Sequence, residues 1–457
     1  MNEIPLPSSF LNTLTDQLGA AEAQPLAQAL TDAPVPVSIR FNPYKTAERP
    51  EGEAVGWSDY GFYLPERPLF TADPLFHGGA YYVQEASSMF LEQVFRQLFP
   101  EGEPVKILDL CAAPGGKATH LAALAGLESL VVANETIRTR ARILTENVQK
   151  WGTGNIVVTH NDPQDFSFVR SFFDLVLVDA PCSGEGMFRK NPEARKEWTP
   201  ENVALCAARQ RRILRDVWDS LKPGGILIYS TCTFNRQENE ENIAWLVSEY
   251  GCEPVHVATE ESWGIARGET AGIETFRFYP HRVKGEGLFM AALRKGGHPK
   301  RDRSLYRRST WKDVKKPIYA EVAPWFGQPD YMCFTRIKNS SRIVGYYDLA
   351  MEYVNLLAEN LRILYSGIEA GESFGNRLKP AHTLGVFHDV SRTAVPETEL
   401  TLPKALCYLR REMLPPALFQ PGINLVSYEG LPLGWIKQIG NRRCNNLYPT
   451  DWRILNV

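Results

Sequence analysis

A mostly parallel, doubly wound α/β sheet is the fold this sequence predicts, and three observations carry the prediction. From Val105 onward, short apolar runs alternate with segments of helical spacing. Successive runs end in a polar residue able to do chemistry: Asp109, Glu135, Asp162, Asp179, and Cys232 in Ser230-Thr231-Cys232-Thr233. Gly- and Pro-rich turns separate the segments, as at Gly115-Gly116 and Lys222-Pro223-Gly224-Gly225.

The elements follow in order. Phe10 to Leu30 has helical spacing, Val37–Phe41 reads as a strand, and Pro and Gly from Pro43 to Gly61 mark loops. Tyr81 to Phe99 reads as a helix with Phe90, Leu91, Val94, Phe95 and Leu98 on one face. Strands are then expected at 105–110, 129–134, 155–159, 172–178 and 225–229, with helices over 117–125, 137–150, 200–221 and 237–250. Phe276–Phe278 and Leu288–Leu293 should close the sheet as a hairpin.

At 457 residues, the chain is long enough for several domains. The expected units are an N-terminal α/β domain (1–72), a catalytic domain (73–298), a basic linker with a small α+β unit (299–375), and a β-rich module (376–457). Composition is ordinary, with 44% hydrophobic and 23% charged residues, so a disordered chain is excluded. No apolar run reaches the length of a bilayer span, and residues 1–7 lack the basic start and apolar core of a signal peptide. Eight cysteines without a Cys-x-x-Cys pair fit free thiols in a reducing cytoplasm and give no metal-ligand spacing.

Charge is uneven. Residues 1–104 hold fourteen acids and five bases, a balance of −9; with −3 overall, the remainder carries +6. Arg294 to Lys316 holds ten bases against Asp302 and Asp313, with Tyr306 and Trp311 among them. Bases interleaved with aromatics suit a polyanion with exposed bases, so RNA is the expected partner. No heptad or apolar stripe calls for a second copy, and a monomer is expected.

Asp109 to Lys117 (Asp-Leu-Cys-Ala-Ala-Pro-Gly-Gly-Lys) follows the first strand and opens a helix. Gly115 and Gly116 let a ligand approach the backbone with no Cβ in the way. Glu135 ends the second strand, where an acid can accept from ribose hydroxyls; Asp162 can position a base. Acids rather than bases favour a cationic cofactor without phosphates, which points to S-adenosylmethionine (SAM). Cys182, in Asp179-Ala-Pro-Cys182, and Cys232 then stand at neighbouring strand ends. A thiolate added to C6 of cytosine makes C5 nucleophilic enough to take a methyl group. Either cysteine can attack on this reading. Asp179 would bind the cytosine edge and help protonate N3, and Lys117 would position substrate, cofactor or Asp179.

Tyr82–Met89, Asp109–Lys117, Asp179–Gly186 and Ser230–Phe234 closely resemble the motifs of the Sun/Nol/Nop family of RNA cytosine-C5 methyltransferases. The resemblance implies a Rossmann-like SAM-dependent core with Cys232 as nucleophile and Cys182 assisting release. It also implies SAM contacts by Cys111, Ala112, Ala113, Pro114, Gly115, Gly116, Lys117, Glu135, Asp162 and Asp179. Gly430–Lys437 and Asn446–Pro449 resemble a bacterial ribosomal-RNA branch of that family. Its members carry an N-terminal RNA-binding region, a ferredoxin-like insert and a C-terminal PUA-like module, which implies a small-subunit (16S) rRNA substrate. The rival readings are a DNA cytosine-C5 methyltransferase using Cys182 and a non-catalytic ribosome-assembly factor.

Overall fold

The structure is a computed structural model that describes residues 4–46, 52–297, 316–337, 340–374 and 377–455. Its centre is a mixed sheet of ten strands among the described residues. Five parallel strands form the middle: β1 (Lys106–Asp109), β2 (Leu130–Asn134), β3 (Ile156–Thr159), β4 (Phe173–Asp179) and β5 (Leu221–Thr231). They lie in the order β5-β4-β1-β2-β3, so chain order reverses beside β1. Antiparallel strands extend both edges: Leu288–Arg294, Ile273–Phe278 and Ala266–Thr270 beyond β5, and Ile363–Tyr365 beyond β3. The expected parallel order thus holds in the middle, and the whole sheet is mixed.

Double winding follows from the strand pattern. Ile107, Val131, Leu175 and Ile228 pack on one face with Leu121 and Leu144 of the helices Gly116–Ala125 and Arg138–Trp151. Leu108, Val132, Val176 and Tyr229 pack on the other with Leu214 and Ile243 of the helices Pro200–Val217 and Glu240–Tyr250. Strands buried on both faces need apolar residues at every position, and each fully buried aliphatic side chain contributes about 1.5–3 kcal/mol.

Several expected elements are corrected. Tyr81 to Phe99 is not one helix: Tyr81–Val83 pairs antiparallel with Ile39–Phe41, and the helix spans only Leu91–Leu98. Aromatic and β-branched side chains favour that strand, while Glu85 accepts from Ser87 N and Ser88 N and starts the helical turn that follows. Within Pro43–Gly61 and just beyond it, Glu53–Ala54 and Gly61–Leu64 pair as strands in the same N-terminal sheet. Gly19, at φ 75°, splits the first helical stretch into Ser8–Leu18 and Ala20–Thr31. The helix expected over 200–221 stops at Val217, and Lys222-Pro223-Gly224-Gly225 becomes the irregular start of β5 rather than a helix stop. Residues 237–239 form a turn ahead of Glu240–Tyr250.

The third sheet, Cys333–Arg336, Arg342–Tyr346, Ile368–Phe374 and Arg377–Pro380, is an antiparallel meander with the helix Asp348–Asn360 between its second and third strands. Its α+β content matches the ferredoxin-like expectation; its strand order is not the interleaved ferredoxin one. The same segment lends Ile363–Tyr365 to the central sheet, and Tyr353 meets Phe172 edge-on at 5.1 Å. A fourth sheet joins Glu397–Glu399, Gly422–Tyr428, Leu431–Ile439 and Arg443–Asn446. Most of the basic stretch Arg294 to Lys316, namely 298–315, lies outside the described residues.

Candidate active site

The C-terminal ends of β1, β4 and β5 meet where the strand order reverses, the place at which open α/β sheets bind ligands. Asp179 stands opposite Ser230 in the parallel register, so the turns that follow β4 and β5 lie side by side. The Cys182 and Cys232 sulfurs are 3.2 Å apart as free thiols, each half-buried. Contact with Cys232, reinforced by burial, pushes the Cys182 thiol well above its ordinary value.

A cavity of about 320 Å³ opens beside them, lined by Asp109, Cys111–Pro114, Gly116, Lys117, Asp179 and Cys232. Cys182 touches Cys232 and does not itself line the cavity. A larger cavity of 970 Å³ runs past Lys45, His388 and Pro432, but none of the expected residues reaches it. Convergent chemistry, rather than size, selects the smaller one.

Lys117 Nζ donates to Asp179 Oδ2 at 2.8 Å, and Ser230 Oγ donates to Asp179 Oδ1 at 2.7 Å. Burial alone would lower the Lys117 ammonium; the Asp179 charge outweighs it and holds the value above the ordinary one. Asp109 is buried, and neither carboxyl oxygen has a hydrogen-bond partner. Burial, then the Asp179 charge, pushes its carboxyl up to about 8. A buried carboxyl held above its unfolded value favours the fold while protonated, so stability falls as pH rises from about 4 to about 8. Thermal scans of ligand-free Asp109→Asn should show a flatter decline over that range than the parent; an equally steep one would place the pH dependence elsewhere.

Gly115 caps the helix at φ 117°, where a side chain is strained, and a Cβ on Gly116 would meet Tyr82 Cε1 at 3.4 Å. Behind the turn, buried Arg40 donates from Nε to Gln84 Oε1 at 2.7 Å and from Nη2 to Thr119 Oγ1 at 2.6 Å and Gly116 O at 3.2 Å. Its guanidinium also stacks over Trp151 at 4.3 Å. The N-terminal sheet therefore braces the cofactor turn, a role no motif in Val37–Phe41 announces.

Three expected contacts, Gly115, Glu135 and Asp162, do not line the cavity. Glu135 is buried, but Oε1 accepts from Ile137 N at 2.8 Å and Oε2 faces Arg140 Nη1 at 3.3 Å. Asp162 is exposed; its Oδ1 accepts from Gln164 N at 3.1 Å and pairs with Arg212 at 3.4 Å. Sequence reasoning missed Lys190 and Glu286, which do line the cavity. It also missed Glu185, whose Oε2 accepts from Phe234 N at 2.7 Å and Asn235 N at 3.0 Å and ties the two cysteine turns together. A Glu three residues after Cys182 was the available signal.

Close packing of these turns also explains Gly186. A Cβ there would lie 2.7 Å from Gly287 O and 3.0 Å from Cys232 O, both backbone atoms. Gly186→Ala should cost about 1–3 kcal/mol and lower the urea midpoint with an unchanged slope; an unshifted midpoint would show that the turns part freely.

The buried, unpartnered Asp109 oxygens, the Gly115-Gly116 cradle and a donor set rich in carboxylates fit a cationic nucleoside such as SAM. Fold and site together define a SAM-dependent methyltransferase. Three family descriptions match in tandem: the N-terminal domain of 16S rRNA methyltransferase RsmF over 6–86, 16S rRNA methyltransferase RsmB/F over 97–294, and the methyltransferase RsmF PUA domain over 395–454. Ribosomal RNA small subunit methyltransferase F of Escherichia coli is 30% identical over 469 residues, covering 97% of this chain and 96% of that one. Its namesake in Pectobacterium atrosepticum is 35% identical over 308 residues, 64% of this chain and 63% of that one, so the match spans less than two thirds of that relative. A methyltransferase homolog protein from Pyrococcus horikoshii aligns with a TM-score of 0.52 and 29% identity over 64% of this chain and all of that one. NSun6 from P. horikoshii with SFG, at 21% identity, has a TM-score of 0.52 over 65% of this chain and 100% of that one and shares the fold. The chain belongs to the RsmB/F family of 16S rRNA methyltransferases.

Proposed function

We propose that this protein methylates C5 of a cytosine in 16S rRNA, with Cys232 as the nucleophile and Cys182 acting in release. The observation that carries the reading is the placement of the two sulfurs. Cys232 faces the cavity that holds the Lys117–Asp179 pair, while Cys182 touches Cys232 from outside it. A DNA-type mechanism with Cys182 attacking would require the opposite placement.

The Cys232 thiolate forms a bond to C6, and the ring electrons move toward C5 and N3. Asp179, fixed by Lys117 and Ser230, accepts from the exocyclic amine on the N3 edge of the ring. Cys111–Lys117 would hold SAM, with Glu135 shaping the start of the neighbouring helix; Asp162 would reach it only by leaving Arg212. SAM supplies the electrophilic methyl group that C5 takes up. Water takes the C5 proton, the electron pair left behind re-forms the C5–C6 double bond, and the Cys232–C6 bond breaks to return the Cys232 thiolate, with Cys182 assisting beside it.

The domains at 1–72, 299–375 and 376–457 would grip RNA around a catalytic unit at 73–298. The target base must be unstacked to reach the cavity. This reading takes the protein as a cytoplasmic monomer acting on 16S rRNA or the small subunit; no described helix is long and apolar enough to cross a membrane. Bisulfite mapping of 16S rRNA from cells lacking this protein should show one or more 5-methylcytosines lost. An unchanged map would reject the proposal and favour an assembly role.

A further inference from the structure

The mechanism leaves a fully buried acid beside the two thiols unused. Glu238 is fully buried between the Cys182 turn and the helix Pro200–Val217. Its Oε2 accepts from Ser183 N at 3.0 Å and from Gln210 Nε2 at 2.7 Å, and the same Gln210 nitrogen also donates to Pro181 O at 3.1 Å. Its Oε1 accepts from Asn235 Nδ2 at 2.6 Å and from Ser183 Oγ. Ser183 follows Cys182 in the chain, Thr233 follows Cys232, and their hydroxyl oxygens are 2.9 Å apart. Asn235 Nδ2 completes the link at 2.9 Å from Thr233 Oγ1.

Burying a carboxylate is costly unless every lone pair finds a donor, and here the donors come from both cysteine turns and the helix behind them. An acid is not needed merely to fill this space. What it accomplishes is specific: Ser183 directly, Pro181 through Gln210 and Thr233 through Asn235 are all held to one group. The residues on either side of Cys182 are therefore fixed relative to the turn carrying Cys232.

We infer that Glu238 is a positioning residue for the second half of the reaction, holding the Cys182 turn against Cys232 so that Cys182 can act once the base is attached. The inference rests on the division of roles proposed above. Attack needs only Cys232, whose turn is also secured by Glu185 through Phe234 N and Asn235 N. Release needs the second sulfur at contact distance, and that placement depends on Glu238. Loosening this clamp should slow release and spare attack.

The test compares the first turnover with later ones in the full-length protein, using 16S rRNA and SAM. Glu238→Gln keeps the side-chain shape but replaces one acceptor oxygen by a donor facing Ser183 or Gln210. Methyl transfer in a single turnover is expected within about threefold of the parent, followed by steady-state turnover slower by roughly 10- to 100-fold. The product would then appear as a burst equal to the enzyme concentration, with a covalent RNA adduct accumulating on denaturing gels. Ser183→Ala, which removes one donor at a half-buried turn, should give the same burst and decides the matter if Glu238→Gln does not fold. Parent-like kinetics would overturn the inference. An equal loss in both phases would also overturn it, since a residue that only maintains the fold slows both. If Cys182→Ala itself gives neither burst nor adduct, the division of roles fails instead, and the two failures are told apart.

Discussion

Cys232→Ala should abolish methyl incorporation, lowering turnover by about 10⁴-fold or more, while Cys182→Ala should retain one round of methyl transfer and accumulate a covalent RNA–protein adduct. The asymmetry follows from position. Cys232 lines the cavity and is the sulfur that a flipped cytosine would meet first. Cys182 lies 3.2 Å from it, and its thiol is held above the ordinary value by contact with Cys232 and by burial. A thiol held protonated is a poor nucleophile and a suitable partner for a departing sulfur. Denaturing gels with labelled RNA read the adduct directly, and incorporation of labelled methyl groups reads turnover. Full turnover by Cys232→Ala, or an adduct trapped through Cys182 in its absence, would reverse the roles.

Asp179→Asn should lower kcat by about 10²- to 10⁴-fold, with a smaller change in the KM for RNA. The isosteric change keeps an oxygen for Ser230 but removes the charge that holds Lys117. Burial would then act on Lys117 against only the smaller Asp109 and Cys232 contributions and draw its ammonium down. The sign for stability follows from the raised lysine. While Asp179 carries its charge, the ion pair favours folding below the unfolded lysine value, about 10.4, and its contribution disappears as pH rises through the higher folded value. Asp179→Asn should therefore lower Tm at neutral pH, with the difference shrinking at strongly alkaline pH. Parallel measurement of kcat, KM and Tm separates the two effects. A kcat within threefold of the parent would remove Asp179 from the reaction.

Much of the site was legible because its chemistry is local. Asp109 to Lys117 is one contiguous turn, and each of its glycines answers a backbone demand visible in the sequence. Asp179-Ala-Pro-Cys182 and Ser230-Thr231-Cys232 could be placed at strand ends because the runs before them are apolar without interruption. The spacing of Tyr81–Val83 continues that of Leu91–Leu98 and predicts a helix; only pairing with Ile39–Phe41, some forty positions earlier, makes it a strand. Glu135 directly follows its strand, whereas Asp162 lies three residues beyond the end of its own at Thr159 and caps the next turn; their side chains turn to Ile137, Gln164 and Arg212. The direction of a side chain beyond a strand end is set by its neighbours, not by its place in the chain.

The alternation of the central strands and helices, the cofactor turn and the pair of thiols are thus legible in the sequence alone, since each depends on apolar periodicity or on residue types within a few positions; the order of the strands in the sheet is not. The tertiary structure decided which sulfur faces the cavity. It also decided that Arg40 braces the turn from another sheet, and that Glu185 and Glu238 bind the two cysteine turns together. Those contacts join residues tens of positions apart, and a buried polar group takes whichever partner the packing brings within hydrogen-bond reach.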